Sequence, residues 1–268
     1  MNAPVEPEHD GCRNEDRMSE RFRNGDVEIA YSDEGTGDPV LLVHGFASNM
    51  EMNWQSTGWV QSLVDDGRRV IAFDHRGHGG STKLYDPERY TNQAMASDAF
   101  ALLDVLGIPK VDVIGYSMGA RVGVLMALEK PERVRSLVVG GMGGRMFAGA
   151  SRSEDIIAAL EAPTADEVQD AYARMFRTFA ERTQSDLPAL AAVMRSPRTA
   201  FTEDMLGRLR CPVLVAVGTK DDVAGDPKPF ADAIPGAQVL EIPGRDHNRA
   251  VGDLTFRKGV LEFLHHRP

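Results

Sequence analysis

Apolar residues recur along this chain in two alternating patterns. Short runs at 40–44, 70–74, 111–115, 134–140, 213–218 and 239–242 are nearly continuous Val, Ile and Leu, as in strands covered on both faces. Two further candidates, 21–23 and 27–33, precede them, which brings the predicted strands to eight. Between the runs lie helix-period stretches near 54–66, 91–106, 118–130, 228–234 and 255–265, with Gly67, Gly107 and Pro131 as stops. This alternation predicts an α/β fold, a mostly parallel sheet with helices on both faces.

One interval breaks the pattern. From 145 to 209 the chain offers helical material only: "SEDIIAALEA", "ADEVQDAYARMFRTFAERT" and "DLPALAAVM". It begins after the glycine cluster "GGMGG" and ends at "RCPVLVAVG". The expected organisation is a solvated tail over 1–20, a core formed by 21–144 and 210–268, and a small helical cap inserted over 145–209.

The 268 residues suit one large domain, and a hydrophobic content of 42% with mean hydropathy of -0.29 fits a globular chain. No apolar run reaches the roughly 18–20 residues of a membrane span. The net charge of -10 argues against nucleic acid, whose phosphates need a basic surface. Cys12 and Cys211 sit too far apart in context to suggest a disulfide, and no N-x-[ST] sequon occurs, so a cytoplasmic setting is expected.

The chemistry begins at Gly115-Tyr116-Ser117-Met118-Gly119, a five-residue passage from a predicted strand straight into a predicted helix. Gly-x-Ser-x-Gly at such a junction is a nucleophile elbow. The tight turn lifts the serine hydroxyl clear of the sheet, and the flanking glycines relieve the crowding. A serine needs a base to take its proton, and the base needs an acid to orient it. "GTKDD" (218–222) and "EIPGRDHNRAV" (241–251) follow later strands, in the chain order serine, acid, histidine.

With "LLVHGF" (41–46) and "AFDHRGHGGS" (72–81), these segments resemble the α/β-hydrolase fold superfamily over residues 21–265. The resemblance implies Ser117 as nucleophile, His247 as base and Asp221 as acid, chosen over the adjacent Asp222 by its Gly-x-x-Asp spacing. It implies an oxyanion hole from the backbone amides of Phe46 and Met118. His44 then holds the oxyanion loop, and His75 and His78 belong to a structural turn rather than a metal site. Asp246, where relatives carry a small residue, reads as a solvent-facing carboxylate.

The expected function is hydrolysis of an ester or related acyl bond of a small to medium, largely uncharged substrate, with no cofactor and no metal. Lactonase, thioesterase, C–C bond hydrolase, perhydrolase and lyase are the alternatives on the same fold, the last keeping Arg121 in view. A non-catalytic ligand-binding protein is the alternative of a different class. In the cap, Tyr172, Met175, Phe176 and Phe179 recur at helical spacing as one apolar stripe. The expected substrate pocket comprises Trp54, Met146, Phe147, Met175, Phe176 and Phe179, with Tyr172 and Met194 as further cap candidates.

Overall fold

The computed structural model describes residues 19–147, 152–197 and 200–267. All but the last two residues of the predicted tail, Cys12 among them, lie outside that range. Eight strands form one sheet in the order β1-β2-β4-β3-β5-β6-β7-β8. They are β1 Glu20–Asn24, β2 Val27–Glu34, β3 Pro39–Val43, β4 Arg69–Phe73, β5 Val111–Tyr116, β6 Val134–Gly140, β7 Val213–Gly218 and β8 Gln238–Ile242. The β1–β2 and β2–β4 pairs are antiparallel, and every other pair is parallel.

Helices follow as α1 Trp59–Asp65, α2 Asn92–Val105, α3 Met118–Glu129, α4 Ser153–Glu161, α5 Ala171–Arg182, α6 Leu187–Arg195, α7 Glu203–Leu206, α8 Lys228–Asp232, α9 His247–Ala250 and α10 Leu254–His266. Alternate strand residues feed opposite faces of the sheet, as the two-residue period of a strand requires. Leu41, Val43, Ile71 and Val113 pack with α2, α3 and α8. Val40, Leu42, Val70 and Ile114 pack with α1 and α10.

The expected helix over 54–66 is two pieces. A helical turn at Glu51–Gln55 is separated from α1 by Gly58 in the left-handed region (φ 79°). Trp54 therefore turns inward. It is fully buried against Trp59, at 5.7 Å between ring centroids, and is no pocket residue. Likewise the stretch 165–183 is not one helix. The Asp170 side chain accepts from the Ala173 amide and starts α5 there.

Helices α4–α7 form an insert between β6 and β7, and no strand occurs among its described residues. Its own apolar cluster joins Ile156, Leu160, Ala180, Leu190, Ala191 and Met194. One member of that cluster comes from outside the insert: Ala47, in the loop after β3. Arg177, buried on α5, donates to the carbonyls of Ala159, Leu160 and Ala162 at 2.8, 3.2 and 2.6 Å. Those are orphaned acceptors at the end of α4, so one guanidinium ties two insert helices together.

Candidate active site

The sheet order places β4 and β6 on opposite sides of the β3–β5 pair, which makes the carboxyl ends of β3 and β5 a topological switch point. Crevices of open α/β sheets lie at such points. The loop after β3 carries His44 to Ala47, and Ser117 stands at the end of β5.

Ser117 has φ 55° and ψ −113°, a strained setting for a residue with a side chain. The turn is possible because of its glycines. A Cβ on Gly115 would lie 2.5 Å from the Ala120 Cα, and one on Gly119 would lie 2.0 Å from the Val43 carbonyl oxygen. Ser117 Oγ lies 3.0 Å from His247 Nε2, and His247 Nδ1 lies 2.8 Å from Asp221 Oδ2. The other Asp221 oxygen accepts from the amides of Val223 and Ala224 at 3.0 and 2.8 Å, which fixes the carboxylate. Asp222 is exposed and makes no contact of this kind among the described residues.

His247 opens the short helix α9 rather than sitting in an irregular loop. Asp246 is the cap of that helix, its side chain accepting from the Arg249 amide at 2.9 Å. The departure from a small residue at this position thus has a local reason. From the other side, the buried Tyr116 hydroxyl donates to the His247 carbonyl at 2.5 Å. Sequence reasoning missed Tyr116 in this role. Its only signal was its place beside the serine.

The loop after β3 is set by buried histidines. His44 Nε2 accepts from the His75 amide at 3.0 Å, so the proton is on Nδ1, which donates to the Gly45 carbonyl at 2.7 Å. Burial pushes the His44 pKa down to about 4 and that of His78 down to about 3, and holds His75 well below the ordinary range. The three rings pack together, His44 at 4.7 Å from His75 and 5.2 Å from His78 between centroids. Among the described residues no group of His, Cys, Asp or Glu is arranged to hold a metal ion. The Phe46 amide has no hydrogen-bond partner among the described residues, and the Met118 amide opens α3, where no intrahelical acceptor exists.

Two cavities meet at Ser117, and both are lined by Phe46 and Phe176. Rings Phe46 and Phe176 stand 6.1 Å apart between them. The smaller, about 390 Å³, includes His247, Met175 and Phe179 in its lining. The larger, about 710 Å³, includes Met118, Tyr172 and Met194. Phe147 lines neither, because it packs on Phe230 at 6.0 Å. The Met146 side chain lies outside the described residues.

A sequence model described as "alpha/beta hydrolase fold" matches residues 38–181. This chain belongs to the α/β-hydrolase fold family. The hydrolase is 30% identical over 247 residues to the BpoC protein of Mycobacterium tuberculosis, covering 82% of this chain and 91% of that protein. It is 27% identical over 270 residues to the rhodomycin D methylesterase DauP of a Streptomyces species, covering 82% and 89%. Among solved structures, the enol-lactonase of Burkholderia xenovorans superposes with a TM-score of 0.74 at 22% identity over 92% of this chain and all of the other, which shows the shared fold. No helix among the described residues is long and apolar enough to cross a membrane.

Proposed function

We propose that this hydrolase cleaves carboxylic esters through an acyl-enzyme on Ser117, with the insert as the cap over its site. The observation that carries the reading is the unbroken hydrogen-bonded line from Ser117 Oγ through His247 to Asp221, ending at a strained serine. Ser117 Oγ bonds to the ester carbonyl carbon as its proton passes to His247 Nε2. The carbonyl oxygen gains the electron pair and is met by the amides of Phe46 and Met118, each such donor being worth about 3 kcal/mol of barrier. Asp221 stabilises the imidazolium. Collapse breaks the bond to the leaving oxygen, which takes the proton from Nε2. Water then repeats the sequence, giving its proton to His247 and releasing the acid and the free serine.

The two cavities divide this work. The leaving oxygen must receive its proton from His247, so the leaving group and the incoming water face the smaller, His247-lined cavity. The acyl chain then extends into the larger cavity beside Met118. The methylesterase relative is consistent with ester chemistry on this scaffold.

The test is a panel of para-nitrophenyl esters, lactones and thioesters on wild type and Ser117→Ala, together with fluorophosphonate labelling. Turnover of esters should fall by about 10⁶ in the variant, with folding intact and the label lost. Retention of a tenth of the activity would remove Ser117 from this role. An unlabelled wild-type serine would favour a ligand-binding protein instead.

A further inference from the structure

The larger cavity has a wall that the ester chemistry does not use. Asn92, the first residue of α2, and Ser196, just past α6, both line it, and both are buried at 5% and 6% exposure. Asn92 Nδ2 and Ser196 Oγ have no hydrogen-bond partner among the described residues. A buried donor left unmade costs about 1–3 kcal/mol, so native structures seldom keep one without a use. Both groups are donors, and three of the four charged residues that line the cavity have the matching sign. Arg121, Arg145 and Arg152 are cationic against Asp222, although Arg152 is also met by Asp155 and Asp170. The sequence alone led to the expectation of a largely uncharged substrate. Folding brings Arg121 from α3 to the same cavity.

Resting on the esterase reading, we infer that the larger cavity selects acyl groups that carry a carboxylate at their far end, received by the Asn92 amide and the Ser196 hydroxyl. The substrate class is then the hemi-ester of a dicarboxylic acid, or an ester of equivalent shape. The leaving group remains on the His247 side.

The experiment compares para-nitrophenyl hemi-esters of straight dicarboxylic acids, adipate to suberate, with esters whose terminal carboxylate is replaced by isopropyl or methyl ketone. For the best chain length, kcat/KM should favour the carboxylate over the isopropyl ester by about tenfold or more, the scale of a charge-assisted hydrogen bond. Asn92→Asp removes the donor and adds a like charge. It should fold, because an acid at the start of a helix is favourable there. It and Ser196→Ala should each lower the ratio at least several-fold. An isopropyl ester that does as well in wild type, or a ratio unmoved in both variants, overturns the inference. A methyl ketone equal to the carboxylate overturns its anionic part. Calorimetric binding of the same compounds to Ser117→Ala protein reads the wall without turnover. Carboxylate-selective binding there with no turnover in wild type would sink the esterase reading alone, and unselective binding with normal turnover would sink this inference alone.

Discussion

At the scale of single residues, the adjacent acids 221 and 222 offer the sharpest contrast. Asp221 holds His247 and is itself held by two backbone amides, whereas Asp222 is exposed on the lining of the larger cavity. Asp221→Asn keeps the shape but favours the wrong imidazole tautomer, so kcat should fall by about 10⁴, while Asp222→Asn should change it little. Steady-state kinetics on the pair decides it, and swapped phenotypes would reject the assignment. The Asp221–His247 contact was legible through the family resemblance, whose Gly-x-x-Asp spacing falls on Asp221. Trp54 was not legible, since the direction of its ring depends on the break at Gly58 and on packing with Trp59 from the next element. The capping role of Asp246 could have been read from an acid standing just before a short helical turn, a known start signal.

At the scale of elements, the strands were largely readable from their Val, Ile and Leu runs, with ends displaced by one residue at most. Helix starts were less so, because side-chain caps such as Asp170 override the apolar period. What no local pattern shows is the junction between the insert and the loop after β3. Thr183, at the end of α5, has its hydroxyl 2.9 Å from the Ala47 carbonyl, closer than the Ala180 and Phe179 carbonyls at 3.0 and 3.2 Å. Ser185 Oγ, at 2.9 Å, can donate to the same hydroxyl and orient it. Ala47 has a positive φ of 58° and follows the Phe46 amide directly. On the proposed mechanism, Thr183 is therefore a positioning residue for that amide. Thr183→Val should lower kcat about fivefold, the value of one ordinary hydrogen bond, with KM nearly unchanged and with recovery in Thr183→Ser. An unchanged kcat in the valine variant would reduce the contact to simple packing.

At the scale of the whole molecule, the histidine group makes stability depend on acid. His44 and His78 stay neutral in the fold down to about 4 and about 3, but titrate near 6.5 once unfolded. The unfolded chain therefore binds more protons as pH drops below about 6.5, and stability falls through that window until the folded groups also titrate. Each group contributes up to about 1.4 kcal/mol per pH unit, and His75 adds in the same direction. Urea midpoints taken at about pH 7 and about pH 5, above most carboxylate titration, should drop clearly. A flat midpoint would show that the rings are hydrated in solution.

Ala47 belongs to the sheet domain by chain position but to the insert by packing. The insert is consequently no interchangeable cassette. Transplanting helices from a relative to alter what the enzyme accepts would also replace the seat under the loop that carries the Phe46 amide. Selectivity and catalytic power are thus inherited together, and a graft that ignores that one alanine alters both.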